Sequence, residues 1–431
     1  MSLSHKIAWN TLIQIIGKSF SAGLGVLITI LLTRHLGPAG FGTYTFVLVF
    51  VTMFGTLADW GLTLITVREA SRNDALAREI IGNVLVIRLG LAFIAAIITV
   101  LVIYLLPYDP QIRLLVSVAS LMLLALSLKT SFQIIFNVKL QMQNWALSEI
   151  AGNALFLALL LFLIQNQTSL LMIILAFVLS DSFAAGVAAF LGFKLLPLKY
   201  SLIHPKTRFL LIEAIPMGGI LVVFTIYNRI DTVILSLYKG QEAVGLYGAS
   251  YKVYEVLVLG AAYFANSVLP LISQLAISDK FKLGDVYRKS FIILLIMGVA
   301  VAVANYIFAP LAINIIAGPD FAGSIGSLRI LSLAIVVSYF NHINGYTIVA
   351  LGKQWASFLI ACVALAINVF LNIVFIPLYS FYAASFITFI TEALIVVLSL
   401  YVLRRDLGRI PGFRDFRETI GEIVRKRGQI F

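Results

Sequence analysis

The sequence predicts an all-α polytopic membrane protein: about twelve transmembrane helices in two six-helix halves, related by a parallel repeat with a central cavity between them. Three observations carry this expectation. The 431-residue chain is 61% hydrophobic and only 12% charged, whereas soluble domains carry about 25% charged residues, and its mean hydropathy is +1.03. Its apolar residues fall in runs near the length of about 20 that a helix needs to cross a hydrocarbon core about 30 Å thick, well beyond the roughly 10 alternating residues of a barrel strand. A glycine-punctuated turn, "LTRHLGPAGFGTYTF" at 32–46, also returns as "LSLYKGQEAVGLYGA" at 235–249.

The first run, 8–33, is too long for a cleavable signal and leads into another helix, not into a small-residue cleavage site. Along it Asn10, Gln14, Lys18, Ser21 and Gly25 recur every three or four residues and form one polar face. The second run, 42–66, does the same with Thr52, Thr56, Asp59 and Thr63. Such faces turn to a neighbouring helix or to water, not to lipid. Runs 80–106, 112–136, 145–164 and 169–193 complete the first half. A basic loop near 194–207 then separates the halves, giving expected domains at 1–200 and 201–404 and a basic cytoplasmic tail at 405–431.

The second half opens with 209–236, where Pro216, Gly218 and Gly219 of "IPMGGI" should break or bend the helix. Asp231 follows, three residues after Asn228 and two after Arg229, placed to pair with a basic group. Run 246–274 sets Tyr247, Tyr251, Tyr254 and Glu255 on one side with Lys252 adjacent; an aromatic face with a carboxylate suits sugar rings, while a tyrosine belt at the membrane interface is the simpler account of Tyr247. Runs 289–317, 324–350, 355–378 and 381–404 finish the chain.

The repeat is ordered. Gly37, Gly42 and Tyr44 match Gly240, Gly245 and Tyr247 at a shift of 203. Asn144-Trp145-Ala146 parallels Gln354-Trp355-Ala356 at a shift of 210, and Ser180-Asp181 parallels Thr391-Glu392 at 211. An even number of helices per half keeps both halves in one orientation, with the transport path expected between them.

The net charge of +12 is distributed unevenly. Most Lys and Arg fall on the side of the termini, and only Arg34, Arg113 and Lys239 fall opposite. The positive-inside rule then puts both termini in the cytoplasm and the chain in the cytoplasmic membrane. A basic rim beside anionic lipid accounts for the charge without nucleic acid. Lys18, Arg88, Lys129, Arg229, Lys252 and Arg329 lie inside spans, where a charge costs about 2.5–3.5 kcal/mol at the centre and marks a functional site unless the side chain snorkels. Arg329, close to a helix end, is the snorkeller; Lys18 is the deepest. The substrate-cavity candidates are therefore Lys18, Arg88, Lys129, Arg229, Lys252 and Tyr251, and the ion-coupling candidates are Asp59, Asp231 and Glu255. Asp181 and Glu392 are deep and repeat-related, either coupling sites or structural hydrogen-bonders. The single cysteine, Cys362, and the absence of a Cys/His cluster give no metal site. No Gly-rich phosphate loop with a lysine is present, so no cofactor is expected and energy would come from an H+ or Na+ gradient or from downstream consumption.

"LLTRHLGPAGFGTYTFVLVF" and "LADWGLTLITVREAS" (57–71) in the first half carry a family resemblance. So do "FAGSIGSLRILSL" (321–333) and "ALGKQWASFLIACVALAINVFLNIVFIPLYSFYAASFITFITEAL" (350–394) in the second. The chain resembles, over nearly its whole length, the polysaccharide-flippase branch of the multidrug/oligosaccharidyl-lipid/polysaccharide exporter superfamily. The resemblance implies a V-shaped bundle, not an enzyme, with a cationic cavity. The implied cargo is a polyprenyl-diphosphate-linked oligosaccharide moved from the cytoplasmic to the outer leaflet by alternating access. It implies as partners membrane lipids, a polysaccharide polymerase and chain-length machinery. A drug antiporter of the same superfamily would want acidic cavity residues. A membrane polymerase would want a sizeable outer loop, whereas the outer connections here, such as "NQTS" and "PLYSF", are short.

Overall fold

The computed structural model describes residues 3–72, 74–200, 205–409, 412, 415 and 417. Eleven α-helices cover them: α1 Leu3–Asp59, α2 Leu62–Arg72, α3 Asp74–Leu105, α4 Pro110–Ala119, α5 Met122–Val138, α6 Met142–Gln165, α7 Leu170–Leu195, α8 Pro205–Ser278, α9 Lys280–Ile316, α10 Ser324–Ala350 and α11 Gln354–Leu407, with one 3-10 turn at Pro319–Phe321. Nine runs among the described residues are long and apolar enough to cross a membrane. Three of these hold a non-helical residue: α1 at Gly37, α8 at Gly240 and α11 at Ser380. Along α3, Phe93, Ile97, Leu101 and Tyr104 follow one face and are 44 to 59% exposed. A contiguous apolar strip of that kind is a liability in water and is the ordinary outer face of a helix in hydrocarbon. The protein is a multi-pass, all-α membrane protein.

The repeat seen in sequence is also a repeat of backbone conformation. Gly37 has φ 64° and ψ −177°, and Gly240 has φ 76° and ψ −174°; this region is open essentially to glycine alone. Two further pairs agree in chain order. Leu140 (φ 52°) and Gly352 (φ 73°) precede α6 and α11, while Gln167 (φ 48°) and Ser380 (φ 55°) precede the last apolar run of each half. The turn that opened the question is thus one local fold used twice.

The interruption expected at "IPMGGI" falls elsewhere. α8 is helical through 215–220, and the break lies in the first half, where Trp60 (φ 42°) and Gly61 (φ 76°) separate α1 from α2. The glycines of α8 instead make room: a Cβ on Gly218 would come within 2.8 Å of the Trp60 ring. The matching stretch of α8, after Gly240, runs unbroken to Ser278.

By contacts the chain divides into two compact units, Met1–Arg229 and Ile230–Phe431. The division lies beyond the basic loop because the start of α8 packs on the first unit, through Trp60 on Gly218, Arg68 with Glu213, and Thr56 Oγ1 donating to Thr225 Oγ1 at 3.0 Å. The core of the first unit gathers Leu62 and Ile65 of α2, Ile81 and Val84 of α3, Phe132 and Phe136 of α5, and Ala188 of α7. That of the second gathers Ala261 and Ile272 of α8, Tyr287 and Leu294 of α9, Ile335 and Tyr339 of α10, and Leu403 of α11.

Candidate functional site

α5 carries the charged centre of the first unit. Lys129 and Thr130 are neighbours on it, so they point about 100° apart around a 3.6-residue turn and serve two different clusters. In the first, the buried guanidinium of Arg88 (α3, 2% exposed) lies 3.1 Å from Asp59 Oδ1. It also donates from Nη2 to Thr130 Oγ1 at 2.7 Å and from Nη1 to Thr63 Oγ1 at 3.1 Å. Thr63 in turn donates to Asp59 through Oγ1 at 2.6 Å and through its backbone N–H at 3.3 Å. Asp59 therefore caps α2 across the Trp60–Gly61 break, and Arg88 neutralises it. The buried Arg88 and the half-buried Asp59 thus link α1, α2, α3 and α5 through one polar cluster.

In the second cluster, Lys129 Nζ sits 2.5 Å from Asp181 Oδ1 on α7 and 2.9 Å from Glu149 Oε1 on α6, over the ring of Trp145 at 5.9 Å. Two carboxylates share one ammonium. Asp181 Oδ2 is buried and has no hydrogen-bond partner among the described residues. The helices that bring these groups together pack closely: a Cβ on Gly152 would stand 2.7 Å from Ala184 Cβ. The arrangement sets two acidic groups against one basic one.

The second unit places its polar groups differently. Asp231 is buried and accepts from Tyr247 Oη at 2.5 Å and from the Thr232 N–H at 2.7 Å. Tyr247, 1% exposed, is thus an inward-facing residue and not part of an interfacial belt. Tyr251 stands between Tyr247 and Tyr254, with ring centroids 5.3 and 5.2 Å away, and Tyr254 Oη lies 2.6 Å from Ser338 Oγ. Lys252 is exposed and lies 3.6 Å from Glu255. Glu392 accepts from Asn341 Nδ2 at 2.6 Å. Asp181 and Glu392 therefore meet the same helix of their respective halves at equivalent points, Lys129 on α5 and Asn341 on α10. One contact is charged and the other is not.

The expected residues accordingly separate. Arg88 with Asp59, and Lys129 with Asp181, form ion pairs within the first unit, while Lys252 and Glu255 pair with each other in the second. Arg229 is half-buried at the end of the first unit. The side chain of Lys18 lies outside the described residues. Glu149, near a helix end by sequence depth, is the group sequence reasoning missed. A signal existed: Lys129 and Glu149 lie at similar distances either side of the α5–α6 turn at 139–141, so an antiparallel hairpin brings them within about one helical turn of each other.

Comparisons with known proteins agree with this architecture. The family described as "Polysaccharide biosynthesis protein" matches residues 7–276, and the MatE family matches 216–374. Among curated proteins, "Probable flippase AglR" of Haloferax volcanii is 24% identical over 197 residues, covering 43% of this chain and 40% of that protein, so the match spans well under half of that relative. Among solved structures, the lipid II flippase MurJ in an inward closed conformation superposes with a TM-score of 0.77 at 13% identity, covering 96% of this chain and 91% of that one. A multidrug resistance MATE family transporter of the MOP superfamily, in an inward-facing conformation, gives 0.75 at 13% identity, with 90% and 94% covered. At such identities these likenesses concern the fold.

Proposed function

Because the chain belongs to the polysaccharide biosynthesis protein family, matched over residues 7–276, we propose that it is a flippase. On this reading it moves a polyprenyl-diphosphate-linked oligosaccharide from the cytoplasmic to the outer leaflet by alternating access. The three bent runs each cross the membrane twice, which makes twelve crossings and keeps both termini on one side, the cytoplasmic one by the positive-inside rule. The observation that supports this mechanism is the cluster of Lys129, Glu149 and Asp181, with one carboxylate in excess and a buried Asp181 oxygen that meets no hydrogen-bond partner among the described residues. An uncompensated charge inside a membrane is costly. One spare carboxylate oxygen suits a proton better than a metal cation, which takes several oxygen ligands. Loading and unloading that proton changes how firmly Lys129 ties α5 to α6 and α7, which is the handle by which a gradient acts on the fold.

Arg88, Lys129 and Lys252 each lie beside a carboxylate, so on this reading the anionic head of the cargo falls first to Lys18. The polyprenyl tail stays in lipid. A second reading, drug antiport, draws on the MATE-like fold and on the same surplus of acid. Deleting the gene in its host separates them. The flippase reading expects lipid-linked repeat units trapped in the inner leaflet and loss of surface polysaccharide. Normal surface polysaccharide together with sensitivity to cationic drugs would transfer the function to the antiporter. Repeat units already exposed on the outer face would indicate a polymerase.

A further inference from the structure

α9 and α10 enclose an apolar groove of about 550 Å³, walled by Val299, Val303 and Ile307 on one side and Leu333 and Val336 on the other. Arg329 lies at the end of the groove nearest the 3-10 turn that joins the two helices. Its guanidinium stands over the Tyr306 ring at 5.2 Å and donates from Nε to the Tyr306 carbonyl at 3.3 Å. An arginine has five N–H donors; the four on the terminal nitrogens remain for a ligand. Asp320 in the adjoining turn makes no ion pair with it.

The first unit repeats this bracket. Arg113, early in α4, stands over Tyr104 near the end of α3 at 5.6 Å and donates from Nη2 to the Leu106 carbonyl at 3.1 Å. Tyr104 and Tyr306 are 55% and 54% exposed, and Asp109 makes no ion pair with Arg113. A snorkelling arginine needs only water at the rim. Two arginines held on tyrosine rings at corresponding helix ends, each without a carboxylate among the described residues, are prepared for an anion that lies at the membrane surface.

We propose that the α9–α10 groove binds an anionic glycerophospholipid, with its phosphate on the Arg329 guanidinium and an acyl chain between Val303 and Leu333. Charge complementarity selects a head of net negative charge over a zwitterionic one, whose own cation would offset the guanidinium, and the groove, from Arg329 to Val336, runs about 10 Å along α10, enough for the upper part of a chain. Recurrence of the bracket in both halves favours a lipid present in bulk over a cargo handled once per cycle.

The test is native mass spectrometry of the purified full chain with phosphatidylglycerol or phosphatidylcholine. Wild type should retain phosphatidylglycerol about tenfold more strongly than phosphatidylcholine, the scale of one charge-assisted contact. Arg329→Gln should erase that preference, and Val303→Trp, which fills the groove and keeps the charge, should lower occupancy by either lipid. Melting temperature should rise on adding phosphatidylglycerol to wild type and not to Arg329→Gln. Equal retention of the two lipids by wild type, or unchanged preference in Arg329→Gln, would overturn the proposal. Stoichiometric displacement by a polyprenyl diphosphate would do so as well, by giving the groove to the cargo.

Discussion

Lys129 is held by two carboxylates on two other helices, and its removal and theirs have different effects. Lys129→Met leaves Glu149 and Asp181 facing each other without a cation, a loss of about 3–5 kcal/mol by the usual scale for breaking a buried pair. Folded yield in detergent, read by fluorescence-detected size exclusion, should fall sharply. Adding Asp181→Asn to that variant should restore part of it. Asp181→Asn alone leaves one ammonium on one carboxylate and should accumulate normally while losing the response of transport to a pH gradient. A variant that still follows the gradient would remove Asp181 from coupling. Lys18 makes the contrasting case: as a point charge for the diphosphate, Lys18→Ala should abolish transport at normal abundance, and Lys18→Arg should keep part of it. Normal flipping by Lys18→Ala would end that assignment. The charges themselves were legible in the sequence, because an ionisable residue in an apolar run stands out. Their partners were not: Asp181 is 52 residues from Lys129, and only helix packing decides which of several deep carboxylates it meets.

The bends are set by glycine where the backbone demands it, and in one place by a residue that the backbone does not favour. Gly240→Ala forces a Cβ into a region open essentially to glycine and should cost on the order of 1–3 kcal/mol. Ser380 lies at φ 55° and ψ −142°, close to the same region, so Ser380→Gly should raise the melting temperature in detergent. A fall would show that the serine contributes something the backbone argument omits. The all-α membrane class and the repeated turn could be read from one dimension, since apolar length and glycine spacing are properties of the chain alone. The Trp60–Gly61 break could not. It depends on Asp59 capping α2, on Arg88 reaching over from α3, and on Gly218 leaving space for an indole. The sequence marks of a broken helix, Pro216 and two glycines, lie on the neighbour that accommodates the break.

For the molecule as a whole, orientation is the first quantity to check. Reporter fusions after Arg78, Lys206 and Arg427 should read cytoplasmic, and fusions after Tyr108 and Lys239 external. An external signal from any of the first three would dismantle the twelve-crossing arrangement. The cluster on α5 then has an electrical consequence. Glu149, Asp181 and Lys129 are two acidic groups and one basic one, so the proposed coupling by a proton would give the cycle one step in which the cluster carries a net charge and one in which it does not. A potential of 100 mV acts on an elementary charge crossing the full membrane with about 2.3 kcal/mol. In proteoliposomes at equal pH on both sides, a potassium diffusion potential set with valinomycin should therefore change the rate of flipping, and Asp181→Asn, which leaves one ammonium balanced by one carboxylate, should make the rate indifferent to voltage.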